Sequence, residues 1–272
     1  MIGARRRRIP FPEERRPLLF AHRGLSSTHP ENTLASFRAA RDAGVPGVEL
    51  DVHLTRDGKL AVIHDDTTAR VAPGGHPPLR IHESDWKDLA ALDVGSWKGA
   101  GFAGEKIPLL RDVFEELGDA VYYDVELKWG RLRGNGMEAS VIGAIRDAGL
   151  AERCALSSFN PLVASRCRAL AGEMPVALIW SDTADLPKPL RHGGGRWVAW
   201  PDYLKPHRAE ALRVLSRGAG SDRKAARVPV AVWTVDDPQE ARRLVDLGCD
   251  ALISNAPVGL DPAWRSGRPL LR

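Results

Sequence analysis

The chain has 272 residues, 43% hydrophobic and 27% charged, the composition of a folded globular protein and not of a disordered or fibrous one. Its formal charge of +4 suggests a nucleic acid or a membrane only until it is located: Arg5, Arg6, Arg7, Arg8, Arg15 and Arg16 stand against Glu13 and Glu14 within residues 1–16, and the rest of the chain balances its basic and acidic side chains. A body without basic excess excludes a duplex-binding face, and no apolar run approaches the roughly 18 residues of a membrane span.

Residues 1–16 read as a basic, solvated tail; the alternative is a weak contact of Arg5–Arg8 with an anionic membrane surface. Pro10, Pro12 and two glutamates stand where a secretory signal would place its apolar core. Cys154, Cys167 and Cys249 lack the paired spacing of a zinc site or a disulfide framework. The expectation is a cytoplasmic protein whose cysteines serve as small core residues.

From Leu18 onward, short apolar runs alternate with stretches of helical period. Leu18–Ala21 is the first strand, stopped at His22-Arg23-Gly24, and Glu31–Ala43 carries Leu34, Phe37, Ala40 and Ala43 at helical spacing before Gly44. Strands follow at Val48–Leu54 and Leu60–Ile63, joined through Asp57-Gly58, a hairpin signal that sets His64 roughly opposite Glu49. Residues 66–106 break the rhythm with Pro73-Gly74-Gly75, Pro77-Pro78 and later glycines, and read as an insertion or lid after the third strand. Further strands are predicted at Val121–Leu127, Cys154–Ser158, Val176–Trp180, Trp197–Trp200, Val230–Val235 and Ala251–Ser254. Helices are predicted at Leu110–Leu117, Met137–Ala148, Leu162–Leu170, Arg208–Leu215 and Pro238–Leu247. Strands separated by a dozen or more residues pair in parallel. With the third strand set aside in its hairpin, eight remain, and the fold class is α/β, a (β/α)8 barrel of the TIM type over residues 17–260, with 261–272 as a C-terminal tail.

In such folds ligands bind at the carboxyl ends of the strands, so the polar residues there carry the functional information. These are His22 and Arg23 at the first strand, Glu49 and Asp51 on the second, His64 and Asp65 at the hairpin strand, and Asp124, Glu126 and Lys128 on the fourth. Residues two apart on a strand share a face, so Glu49 with Asp51, and Asp124 with Glu126, project toward the barrel axis. Charge there is costly unless paired or metal-bound. Three or four carboxylates at one mouth suit a divalent cation that prefers oxygen ligands, Mg2+ or Ca2+; a buried ion-pair network with Arg23 and Lys128 is the structural alternative. Two histidines beside them have the titration range for acid and base work. His29, His53, His76, His82, His192 and His207 lack that setting and read as surface or structural.

The sequence resembles the glycerophosphodiester phosphodiesterase family through His22-Arg23-Gly24, Pro30-Glu31-Asn32-Thr33, Glu49-Leu50-Asp51-Val52, His64-Asp65, Val125-Glu126-Leu127-Lys128, Val232-Trp233-Thr234-Val235 and Ser254-Asn255-Ala256-Pro257, in order and at compatible spacing from about Leu18 to Pro257. The resemblance implies a metal-dependent barrel that hydrolyses small-molecule phosphodiesters to sn-glycerol 3-phosphate and an alcohol. It implies metal ligation by Glu49, Asp51 and Glu126, with His22 and His64 as the acid/base pair. By the same resemblance Arg23 and Lys128 bind phosphate, and Trp233 forms an aromatic wall near the glycerol. His22 is read as base and His64 as acid. The polar segment Ser26-Ser27-Thr28-His29 and the insertion depart from the pattern and bear on head-group preference.

The alternative activity is a lysophospholipase D, which would need an apolar groove beside the site, from Trp86, Trp97 and Phe102. A catalytically inactive phosphate-binding barrel conflicts with the intact histidines and carboxylates. An isomerase on this fold would carry a glycine-rich phosphate loop after its seventh strand, which the sequence lacks.

Overall fold

The computed structural model describes residues 17–74, 77–183, 186–216, 228–260 and Pro262; residues 1–16, His76 and, apart from Pro262, the stretch read above as a C-terminal tail lie outside them. Eight parallel strands form the barrel: β1 (Leu18–His22), β2 (Gly47–Leu54), β4 (Tyr122–Leu127), β5 (Cys154–Ser158), β6 (Val176–Trp180), β7 (Tyr203–Pro206), β8 (Ala231–Val232) and β9 (Ala251–Ser254). The sheet runs from β7 through β1 and β9 to β8. The last gap, between β7 and β8, is spanned by single bridges at Leu204 to Val230 and His207 to Trp233. β3 (Leu60–Val62) stands outside this ring as the antiparallel hairpin partner of β2, pairing Val52 with Val62.

Among the described residues eight α-helices connect these strands: α1 (Leu34–Asp42), α2 (Trp86–Ala90), α3 (Leu110–Leu117), α4 (Met137–Asp147), α5 (Pro161–Leu170), α6 (Arg196–Ala199), α7 (Arg208–Ser216) and α8 (Pro238–Asp246). Outward strand residues such as Val48, Leu50, Val52, Val125 and Leu127 meet Phe37, Val113, Val141 and Ile145 of the helices in one continuous core. Inward residues near the strand starts, among them Leu18, Phe20, Tyr122, Ala155, Tyr203 and Ile253, fill the barrel floor. Phe20 has room because Gly47 faces it; a Cβ there would lie 2.5 Å from the ring. Apolar side chains thus close the lower barrel, and inward positions further along the same strands are left for charge.

Local chemistry fixes where helices start. α1 begins later than the helical spacing suggests, because Pro30–Thr33 is a turn and Thr33 is the cap, its hydroxyl accepting the Ser36 N–H at 3.2 Å; such a cap stabilises a helix by about 1 kcal/mol. α5 opens on an Asn160 cap with Pro161 in its first turn, where the missing N–H costs nothing.

The strand expected at Trp197–Trp200 is not one. Arg196–Ala199 is α6, and the sixth barrel strand is β7, Tyr203–Pro206. Periodicity cannot separate a four-residue apolar run from a short helix, and here Trp197 and Trp200 are 68% and 66% exposed. The true strand reads Tyr-Leu-Lys-Pro, and its inward lysine hides it from an apolar search.

Residues 66–106 carry a core of their own. Val71, Ile81, Leu89, Leu92, Val94 and Ile107 pack on Ala61 and Ile63, with Trp86 and Trp97 at the margin. Among the described residues all three cysteines are buried, and no helix is long and apolar enough to cross a membrane.

Candidate active site

Strand register brings the charged residues to one end of the barrel. His22 pairs with Glu49 across β1 and β2, and Glu49 with Asp124, and Asp51 with Glu126, across β2 and β4. At the end of β1 the backbone turns through two left-handed residues, Arg23 (φ 58°) and Gly24 (φ 79°). A Cβ on Gly24 would lie 2.4 Å from Ser36 Oγ, so glycine is required for β1 to bend onto the start of α1. That bend aims the Arg23 N–H at the Glu49 carboxylate, 3.2 Å away.

One oxygen from each of Glu49, Asp51 and Glu126 can be chosen so that all three lie within 4.8 Å of one another, and all three side chains are buried. Asp51 Oδ2 accepts from Asn32 Nδ2 at 2.9 Å and faces Arg23 Nε at 3.2 Å; Asp51 Oδ1 is buried with no hydrogen-bond partner. Glu126 Oε1 accepts from Lys128 Nζ at 2.9 Å. Burial, followed by the neighbouring Asp51, pushes the Glu49 carboxyl well above its ordinary range. Burial also resists ionisation of Asp51, but Arg23 and then Lys128 outweigh it and hold that carboxyl down. A protein-only environment therefore leaves one carboxylate poorly neutralised and one buried oxygen without a hydrogen bond. An all-oxygen donor set in that condition fits a hard divalent cation.

The ion pairs expected as the structural alternative are present as well. Arg23 pairs with Asp51 and Glu31, and Lys128 with Glu126 and Asp51. Asp124 turns to a residue that the misplaced strand concealed: Lys205 on β7, 2% exposed, whose Nζ lies 2.9 Å from Asp124 Oδ2 and 3.6 Å from Glu49 Oε1. Ser157 donates to the other Asp124 oxygen at 2.8 Å. The inward face of β7 was the available signal, and it could be used only once the strand was correctly placed.

The two histidines sit in contrasting surroundings. Asp236 can only accept, so Asn255 must turn its Nδ2 toward it (2.8 Å) and present Oδ1 to His22 Nδ1 at 2.7 Å. An amide oxygen cannot donate, so His22 carries its proton on Nδ1 and keeps the Nε2 lone pair free, 3.8 Å from Glu49 Oε2. Burial, then Arg23, lowers the His22 pKa to about 4, and the ring is neutral at pH 7. His64 Nδ1 meets the Asp65 carboxylate at 2.6 Å, which fixes its tautomer and likewise leaves Nε2 outward. His53, read as structural, is buried on the inner face of β2 with Nε2 3.1 Å from the His64 carbonyl oxygen. Trp233 donates its indole N–H to the Lys205 carbonyl at 3.0 Å and stands edge-on to Phe159 and His207.

Of the aromatic residues proposed for an acyl groove, Trp86 lines a cleft of about 330 Å3 with Leu34 and Ile107. Trp97 lines a separate one of about 400 Å3 with Ala72 and Leu92. Phe102 packs against His29.

Residues 22–258 match the glycerophosphoryl diester phosphodiesterase family. A glycerophosphodiester phosphodiesterase of Caldanaerobacter subterraneus is 34% identical over 251 residues, covering 92% of this chain and 98% of that protein. Among solved structures, a phosphodiesterase of Oleispira antarctica in complex with the product sn-glycerol 3-phosphate superposes with a TM-score of 0.72 at 30% identity, over 91% of this chain and 96% of the other. A glycerophosphodiester phosphodiesterase of Agrobacterium tumefaciens shares the fold with a TM-score of 0.70 at 24% identity, over 88% and 96% of the two chains.

Proposed function

As this chain belongs to the glycerophosphoryl diester phosphodiesterase family of hydrolases, we propose that it cleaves glycerophosphodiesters to sn-glycerol 3-phosphate and an alcohol, using one divalent cation and a pair of imidazoles. Glu49, Asp51 and Glu126 would hold the ion, and bound Mg2+ or Ca2+ supplies positive charge to the phosphoryl oxygens. Arg23 and Lys128 add fixed positive charge at the same mouth, and Trp233 walls the glycerol.

The observation that carries the reading is the difference between the two rings. His22, neutral with a free Nε2 lone pair, takes the proton from the attacking oxygen as the new P–O bond forms. His64, held at Nδ1 by Asp65 and carrying a second proton taken from solvent on Nε2, gives that second proton to the departing alkoxide as the old P–O bond breaks. Each ring then exchanges its proton with solvent, and the balance closes on water added across the bond.

The test is enzyme-coupled detection of glycerol 3-phosphate from glycerophosphocholine and glycerophosphoethanolamine, with and without EDTA. Release that stops in EDTA and returns with Mg2+ or Ca2+ supports the proposal. Full turnover by metal-stripped protein in EDTA refutes the cation, and absence of glycerol 3-phosphate in every condition refutes the reaction.

A further inference from the structure

The insertion contributes a side chain to the site that its sequence did not advertise. Arg70 reaches back over the mouth and makes four hydrogen bonds to two carboxylates. Its Nη1 and Nη2 meet Glu31 Oε2 and Oε1 at 2.7 Å each, and its Nε and Nη2 meet Asp65 Oδ2 and Oδ1 at 2.8 and 3.1 Å. Each carboxylate holds one functional side chain in turn. Asp65 Oδ1 holds His64 Nδ1, and Glu31 Oε1 accepts from Arg23 Nη1 at 2.9 Å. Trp97, from the far side of the insertion, places its ring centroid 6.0 Å from the guanidinium carbon.

We propose that Arg70 is a positioning residue for the hydrolysis: one planar guanidinium that fixes the imidazole acid and the phosphate-binding Arg23 relative to each other across the mouth. The geometry needs arginine. Only its rigid fork bonds one carboxylate through both terminal nitrogens while its remaining donors engage a second. Without it, Glu31 and Asp65 lose the cation that lets two carboxylates stand side by side, and Asp65 loses the anchor that keeps the His64 ring in one orientation. Arg70 is also the first cause that lowers both carboxyls against their burial, Asp65 to about 2.

This proposal rests on the reading of His64 as acid and Arg23 as phosphate ligand, and the experiment separates the two. Arg70→Ala, Arg70→Lys and His64→Ala are compared on glycerophosphocholine and on glycerol phosphate esterified to p-nitrophenol, whose leaving group departs without a proton. Displacing an acid by about 1 Å costs on the order of 100-fold. Arg70→Ala is therefore expected to lose about 10- to 100-fold in kcat on glycerophosphocholine, to lose far less on the p-nitrophenyl ester, and to raise KM on both. Added guanidinium ion restores part of the kcat in Arg70→Ala, whereas Arg70→Lys, a cation without the fork, stays impaired. If His64→Ala shows the leaving-group dependence and folded Arg70→Ala does not, the positioning role is wrong and the reading of His64 stands. If His64→Ala loses the same factor on both substrates, the reading fails and this proposal with it. Should Arg70→Ala not fold, Arg70→Lys with wild-type kcat and KM overturns the need for a fork.

Discussion

Lys205→Met removes a buried cation while keeping most of its volume, and the structure sets the size of the effect. The ammonium is 2% exposed, 2.9 Å from Asp124, 3.6 Å from Glu49 and 3.2 Å from Ser157 Oγ. Burial opposes its charge, but Asp124 and then Glu49 hold its pKa above the ordinary lysine value. Attraction between unit charges near 4 Å is worth about 4 kcal/mol at an effective dielectric of about 20. Removing one partner of a buried pair costs about 3–5 kcal/mol, because the other charge is stranded. For a chain of this size that lowers Tm by roughly 6–20 °C. The assay is urea and thermal unfolding in EDTA, so that no cation substitutes for the lysine. Lys205→Met with Asp124→Asn should recover most of the loss, since the stranded charge goes too, and Mg2+ should raise the Tm of Lys205→Met by more than it raises the wild type. A loss under about 1 kcal/mol, or a double variant less stable than the single one, would refute the assignment of Lys205 as the counter-charge.

Further outcomes follow from the same geometry. Glu126→Gln should weaken Mg2+ binding in a calorimetric titration and lower turnover at limiting metal; unchanged affinity would remove Glu126 from the ligand set. His22→Ala should lose at least about 100-fold on both natural and p-nitrophenyl diesters, the scale of a positioned base; recovery on the activated ester would reverse the roles of the two rings. Because the folded His22 pKa is lowered to about 4, the unfolded chain takes up this proton first as pH falls below about 6.5. Stability at this group is therefore lost between pH about 6.5 and about 4, and the urea midpoint of His22→Gln should fall less over that range than the wild-type midpoint. Deleting residues 1–16 should leave hydrolysis of soluble diesters unchanged and lower binding to anionic vesicles, at about 1 kcal/mol per arginine near the surface; equal vesicle binding by both forms would show that the tail makes no such contact.

The parts of the site legible in the sequence are those that one strand carries alone. The pleat puts Glu49 and Asp51 on one face, and the same rule applies to Asp124 and Glu126, so their convergence follows once the strands are parallel and in register. The acidic cluster, the hairpin and eight strands in a ring were read this way. What failed was anything that depended on a neighbour. Trp197–Trp200 is apolar enough for a strand, but its tryptophans face out, while Tyr203–Pro206 carries a lysine that only a ring of facing carboxylates makes tolerable. Asn255 stood inside a recognised motif without a role, because its role is an orientation imposed by Asp236 and passed to His22. Arg70 had no signal at all: its partners lie 5 and 39 residues away in the chain and meet only when the insertion folds back over the mouth.

Lys205 also completes the electrostatic logic of the mouth. Glu49, Asp51, Asp124 and Glu126 bring four negative charges to the strand ends, and Arg23, Lys128 and Lys205 bring three positive ones. With all four carboxyls ionised the inner cluster would be one charge short of neutral, and burial, followed by the neighbouring Asp51, raises the Glu49 pKa against that state. On the proposed reading a divalent cation would turn that deficit into a single positive charge, which a phosphodiester monoanion would cancel. The barrel would then hold the least uncompensated charge with both cation and substrate bound, the condition under which a low-dielectric interior tolerates so many ions. Without Lys205 the same complex would carry one net negative charge. On that reading the lysine belongs to the charge balance of the substrate complex as much as to the stability of the barrel.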